Sequence, residues 1–347
     1  MIFIRGSCIL NGYHLFLFVF FGGQLVQSIS RRAVLILTLF AFAGSVAAQQ
    51  GWQPRVSGTT EDLVSVYFAE NNKGWIAGDN GFLAHTTDRG ATWTKVELDT
   101  TENINEIYFR NEKNGYLVAG KEMFQTDDAG SSWRKVSLYR AVDAMGTPEF
   151  LSIRFADRRR GIAVGSILNN RGAVIDSLVL RTEDGGENWQ RVVVPPKTEL
   201  FHLDFVGSTR VWIVGDRGVI LFSDNGGENF VLQRSGVERA LYNVDFRDSR
   251  EGYAVGGRGT ILRTEDGGNT WIKVATSFPG TFMRVDFADD KNGWIVGHGG
   301  LILRSNDRGK TWIKQDSGTE EKIFGLFINK RVGWAVGASG TLLEYLR

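Results

Sequence analysis

From about residue 60 to its end the chain alternates short apolar runs with polar turns, and the runs recur in a fixed order. A first run ends in Phe in every copy: residues 64–68, 104–109, 150–155, 200–205, 241–246, 282–287 and 323–327. Alternation within each run has the period of a strand with one buried face. A second run follows a polar turn, at residues 74–78, 115–120, 161–165, 211–215, 252–256, 293–297 and 333–337, with the pattern Gly-Trp-x-Val-Gly. A third short apolar run and a fourth that opens on Trp complete the unit. These two are joined by a hairpin of the form Ser/Thr-x-Asp-x-Gly-x-x-Trp.

The second runs begin at residues 74, 115, 161, 211, 252, 293 and 333, so the repeat is 40 to 50 residues long. Four short strands in a repeat of that length predict a propeller blade. Seven copies predict an all-β, seven-bladed β-propeller of four-stranded blades. The last copy stops after its third run. The missing strand lies at the other end, where Trp52-Gln-Pro-Arg-Val-Ser-Gly-Thr59 matches Trp312-Ile-Lys-Gln-Asp-Ser-Gly-Thr319. The strand around Trp52 is therefore expected to complete the last blade and close the ring, removing exposed sheet edges. Residues 49–347 are read as this single propeller domain.

The hairpin acids are Asp88, Asp128, Asp184, Asp266 and Asp307, with Asn225 in a degraded copy; the paired aromatics are Trp93, Trp133, Trp189, Trp271 and Trp312. An acid in a tight turn accepts backbone N–H groups, the following Gly supplies positive φ, and the Trp packs on the sheet. Repetition around a ring argues for turn stabilisation, because catalysis needs convergence on one place.

Two departures from the repeat carry more information. Residues 166–177 lengthen the loop between the second and third strands of blade 3, and residues 137–149 lengthen the crossover from blade 2 to blade 3. In an up-and-down blade both connections emerge on one face, where loops tend to carry function. Arg171 and Arg140 fall in these insertions. Equivalent loops of blades 4 to 6 carry Asp216, Arg217, Arg258 and His298, and the three basic residues predict a cationic arc beside the central channel. A second basic group, Arg158, Arg159, Arg160, Arg210, Arg247 and Arg250, belongs to the opposite face. There it is interspersed with Glu251, Asp289 and Asp290, as in an ordinary solvated surface.

Composition narrows the function classes. The chain of 347 residues holds 43 Gly, 10 Trp and 23 Phe but 5 Pro, and 42% of it is hydrophobic, which excludes collagen-like and disordered classes. Lys and Arg number 40 against 39 Asp and Glu, so no basic excess marks a nucleic-acid binder. The one Cys, Cys8, precedes the repeats, leaving no thiolate chemistry there. His85, His202 and His298 sit at unrelated points of the repeat, and no hydrolase, phosphate-loop or dinucleotide motif is present. Neither a catalytic residue, a metal nor a cofactor is expected.

Residues 1–48 differ in kind: they contain Arg5, Arg31 and Arg32 and no acid. Arg31-Arg32, an apolar run to Ala43 and Gly-Ser-Val-Ala-Ala48 follow the order of a secretory signal peptide over residues 26–48, with cleavage after Ala48. The apolar run 15–21 upstream reads either as a start assigned too early or as a membrane anchor. Ser30-Arg-Arg-Ala-Val-Leu35 is also similar to a twin-arginine export signal. An exported location follows from these expectations: periplasmic, lumenal or extracellular, with membrane association if the leader is retained.

The repeat, clearest over residues 252–271, resembles the photosystem II stability/assembly factor family over essentially all of residues 50–347. That resemblance implies a seven-bladed, non-enzymatic, monomeric scaffold in an exported compartment. It further implies a protein or peptide partner, with membrane-protein assembly intermediates among the candidates, and no nucleic acid. An arginine-rich binding surface is a family trait, but its positions do not transfer one by one. The Asp-box hairpin is shared with sialidases, xyloglucan hydrolases and sortilin-like receptors. A carbohydrate-active or carbohydrate-binding propeller is therefore the alternative, to be marked by exposed aromatics and paired acids in the central channel.

Overall fold

A computed structural model describes residues 51–138 and 146–347, together with residues 9–10 and 13–14. Ile9–Leu10 pairs with Tyr13–His14 as a short antiparallel ladder. The signal-peptide expectation for residues 26–48 and the position of Arg140 lie outside the described residues.

Residues 51–347 form seven sheets of four antiparallel strands each. Blade 1 runs from its innermost strand Leu63–Phe68 through Gly74–Gly78 and Leu83–Thr86 to Thr94–Lys95 at the outer edge. Blade 7 takes Ile323–Ile328, Gly333–Gly337 and Leu342–Leu346 from the end of the chain. Its outer strand is Gly51–Pro54, with Trp52 opposite Tyr345. The ring is thus closed by the N-terminal strand, as the match between Trp52 and Trp312 predicts. Arg55 reinforces the closure by bonding Glu344 at 2.8 Å.

Aromatic stacking between blades explains why the repeat has Gly and Trp where it does. Phe109, at the end of the innermost strand of blade 2, lies against Trp75 of blade 1 at 4.0 Å between ring centroids. Its edge meets Trp133 of its own hairpin at 5.9 Å. Tyr116 on Phe155, Trp212 on Phe246, Tyr253 on Phe287 and Trp334 on Phe68 repeat the arrangement around the ring. A Cβ on Gly115 would sit 2.6 Å from the Phe109 ring, so the second strand must begin on a residue without one. The sequence pattern suggests close approach of backbones at these glycines; at Gly115 it is a ring that demands the space. Hydrophobic contact and offset stacking therefore come from the same residues.

The hairpins are built as their motif predicts. In blade 1 the Thr86 hydroxyl donates to Asp88 at 2.7 Å and accepts the Gly90 amide at 2.9 Å. Asp88 accepts the amide and the hydroxyl of Thr92. These bonds hold its carboxyl at about 2, and the same pattern lowers Asp128 to about 2. Asn225 keeps the turn in the degraded copy, accepting from Ser223 at 2.7 Å.

Much of the described part of the blade 3 insertions becomes sheet. Its first three strands lengthen to Thr147–Phe155, Gly161–Leu168 and Val174–Thr182. Thr147 pairs with Leu168, and Ile167 with Asp176, so both insertions meet in one three-stranded extension. It projects from the face that carries the second-to-third loops and the blade crossovers.

Candidate functional site: the channel and the loop face

Each innermost strand bulges, between Leu63 and Ser65 in blade 1 and between Phe150 and Ser152 in the longer strand of blade 3, and strand positions are numbered from the residue before the bulge. Beyond the bulge, the third and fifth positions of these strands line the channel, and the second positions lie nearer its mouth on the loop face. The third positions are Ser65, Glu106, Ser152, His202, Asn243, Arg284 and Gly325; the fifth are Tyr67, Tyr108, Arg154, Asp204, Asp245, Asp286 and Phe327. Most of these residues line a channel cavity of about 170 Å³.

Many of the channel side chains tie one blade to the next. The Ile107 amide donates to Ser65 Oγ at 3.1 Å, the Ile153 amide to Glu106 at 2.9 Å and the Val285 amide to Asn243 at 3.0 Å. Lower in the channel, Asp204 accepts the Phe246 amide at 2.7 Å and Asp286 the Ile328 amide at 2.9 Å. Tyr67 donates to the Phe109 carbonyl at 2.7 Å.

One cluster crosses the ring. Glu106 of blade 2 is 2% exposed and pairs with Arg154 of blade 3 at 2.8 Å and with Arg284 of blade 6 at 3.2 Å. Its carboxylate also accepts the Ser152 hydroxyl at 2.6 Å, and His202 Nε2 lies 3.6 Å away. Burial alone would raise this carboxyl, but the two guanidiniums outweigh it and hold it well below the usual range. Burial and the Arg284 charge push His202 down to about 3, so its imidazole is neutral. On the lower side, burial raises Asp204 to about 7 and Asp286 to about 6, and it raises Asp245 well above its ordinary value.

None of these channel groups stood out in the sequence. Their signal was faint: a single column of the repeat holding Ser, Glu, Ser, His, Asn, Arg and Gly, followed by a uniformly apolar column. Such variation at a buried position marks partners chosen one against another across a ring.

The loop face carries the residues singled out from the sequence. Arg217 and Arg258 occupy equivalent turn tips on neighbouring blades, both in the left-handed region with φ of +51° and +55°. Both are exposed, and Arg217 lies 3.7 Å from Asp216 and 3.4 Å from the Lys197 carbonyl. His298 is half-buried against Phe324, and burial and the Lys322 charge lower its pKa. It supplies a ring rather than a charge at neutral pH, so positive charge in the arc comes from Arg217 and Arg258. Arg171 is exposed at the tip of the blade 3 extension. On the opposite face, Arg160 pairs with Asp157 at 2.6 Å and Arg247 with Glu251 at 2.9 Å, a mixed surface as expected. Among the described residues no group of His, Cys, Asp and Glu is arranged to hold a metal ion. No helix among them is long and apolar enough to cross a membrane.

The family model described as photosynthesis system II assembly factor YCF48 matches residues 44–152, 91–199, 231–326 and 281–346, most of the chain. The chain belongs to this family. A relative named photosystem II assembly lipoprotein Ycf48, from Synechococcus sp. (strain CC9902), is 37% identical over 75 residues. That match covers 20% of this chain and 22% of the relative, so the chain aligns with about a fifth of it. Among solved structures, YCF48 bound to a D1 peptide superposes with a TM-score of 0.69 at 22% identity, covering 86% of this chain and 97% of that one. The xyloglucanase from Xanthomonas campestris superposes at 0.63 and 12% identity, covering 84% of this chain and 53% of the enzyme. At such identities the superpositions establish the shared fold.

Proposed function

We propose that this member of the YCF48 family is an exported, non-enzymatic scaffold that binds a protein or peptide partner during envelope or photosystem assembly. The observation that carries this reading is the asymmetry of the loop face. Six blades carry short loops there, while blade 3 raises a three-stranded wall next to blade 4, whose loop carries Arg217, with Arg258 one blade further on. Arg217, Arg258, His298, Asp216, Arg171 and Arg140 are the proposed contact residues. A family member bound to a D1 peptide supports a peptide ligand. The lipoprotein names of relatives, from Synechococcus and Prochlorococcus marinus, support an exported, membrane-associated location. In this reading residues 1–48 act as the leader, residues 49–347 as one domain, and the protein works as a monomer without a cofactor.

The carbohydrate-active alternative draws on the channel carboxylates Asp204, Asp245 and Asp286 and their raised pKa values. Against it, Asp204 and Asp286 are occupied by backbone amides, and the Glu106–Arg284 pair crosses the channel. Tagged protein isolated from its host envelope after crosslinking tests the choice. Recovery of a membrane-protein assembly intermediate, reduced in an Arg217→Glu/Arg258→Glu variant, is expected. A glycan-array hit without any protein partner would overturn the scaffold reading.

A further inference from the structure

The mouth of the channel over blades 3 to 5 has a chemistry that differs from the arginine tips beside it. Phe201 and Tyr242, at the bulged second position of adjacent innermost strands, lie 5.1 Å apart between ring centroids at 50°. Both remain half-buried rather than covered. Three acids stand at this mouth: Glu199 precedes the strand that carries Phe201, the Asp216 amide donates to the Glu199 carbonyl at 2.9 Å, and Glu149 holds the position equivalent to Glu199 in blade 3. Burial raises the Tyr242 phenol, and the charges of Asp216 and Glu199 raise it further. Glu199 is in turn raised by burial, by Asp216 and by Glu149. Glu149 stands on the blade 3 extension, opposite Ser166. Among the described residues neither Glu149 nor Glu199 has an ion-pair partner, and Asp216 has Arg217 at 3.7 Å.

We propose, building on the peptide-scaffold reading above, that this mouth receives a basic side chain, Lys or Arg, of the partner peptide. Charge complementarity selects the occupant. Aromatic faces accept the cation and its apolar stem, while carboxylates left without counter-charges take up the positive head. The blade 3 wall confines the peptide on one side. Arg217 and Arg258 then face the acidic or carboxyl-terminal part of the same segment, so the two chemistries fix its direction across the ring.

The test uses purified full-length protein and two capped, fluorescein-labelled nonapeptides, one alternating Leu with Lys and one alternating Leu with Glu. Anisotropy titrations should show the Leu/Lys probe binding more tightly. Glu149→Gln/Glu199→Gln should weaken it on the order of tenfold, with the loss shrinking as salt screens the charges. Phe201→Ala should weaken it as well, while the thermal transition of each variant confirms that it folds. Unchanged Leu/Lys binding in the double variant, or binding of neither probe, would overturn the proposal. Preferential binding of the Leu/Glu probe, lost in Arg217→Glu/Arg258→Glu, would overturn it too, yet would leave the scaffold reading standing. The envelope crosslinking experiment judges that reading separately.

Discussion

Arg284 of blade 6 reaches across the channel to Glu106 of blade 2 and pairs with it at 3.2 Å. The two residues are 178 positions apart in sequence and belong to blades that share no sheet edge. A buried carboxylate with two guanidiniums is costly to desolvate, and breaking the set leaves uncompensated charge. Glu106→Gln is therefore expected to destabilise the propeller by about 3–5 kcal/mol. Calorimetry of the variant beside Arg284→Met and the double variant would measure the coupling; additivity would show that the pair is not energetically linked.

Stability should also fall on both sides of mildly acidic pH. Glu106 has a depressed pKa in the fold, so its contribution is present above the unfolded value of about 4.3 and is lost as pH falls. Asp204 and Asp286 have raised values, so their contribution is present below about 3.9 and is lost as pH rises through about 6 and about 7. The melting temperature should decline as pH rises from about 4 to about 7, and also as pH falls below about 4. A flat profile from about pH 4 to about 7 would contradict the assignment.

Asp245 gives this a sharper form. It sits between Asp204 and Asp286 at the same strand position and accepts no hydrogen bond among the described residues. Asp245→Asn removes the repulsion without removing an acceptor in use. It should raise the melting temperature at pH 8, by about 2 °C for each kcal/mol relieved in a domain of this size, and change little at pH 4. Equal effects at both values would mean that the charge is not the cause.

The hairpins offer a matched pair of backbone tests. Gly90 has φ of +87°, and a Cβ there would sit 2.3 Å from Trp334 of the preceding blade. Gly90→Ala should cost about 1–3 kcal/mol or more, through overpacking and through the left-handed backbone. Ala129, one residue before the equivalent Gly130, already holds φ of +60° with a side chain. Ala129→Gly should therefore be nearly neutral or stabilising by up to about 1 kcal/mol, as relief of strain opposes the added unfolded-state entropy. Denaturant midpoints of the two variants should move in clearly different degrees.

Interblade stacking predicts where truncation hurts most. Trp212 is fully buried and stacks on Phe246 at 3.6 Å and 15°. Trp212→Ala should cost about 3–5 kcal/mol, as a buried aromatic does. Ile272→Ala, on an outer strand where the side chain is 65% exposed, should stay within about 0.5 kcal/mol. Comparable losses at the two sites would refute the stacking account.

The sequence by itself determined the ring. Period-two runs, the Gly-Trp-x-Val-Gly strand and the hairpin motif are local signals, repeated seven and six times, and each repetition strengthens the same reading. The match of Trp52 to Trp312 even specified how the ring closes, because a missing strand and a surplus strand can be counted. The insertions of blade 3 were visible as breaks in spacing, although their joining into one sheet was not. What only the tertiary structure decided is the chemistry at the centre. Glu106, Arg154, His202 and Arg284 come from four repeats and look like unrelated exceptions when read along the chain. Closing the ring brings their strands around one channel, where desolvation makes each charge require a specific partner. The acids at the mouth came together for the same reason: Glu149 stands on the blade 3 extension, Glu199 and Asp216 on blade 4 connections, and blade packing, which no local pattern encodes, brings them to one side of the ring.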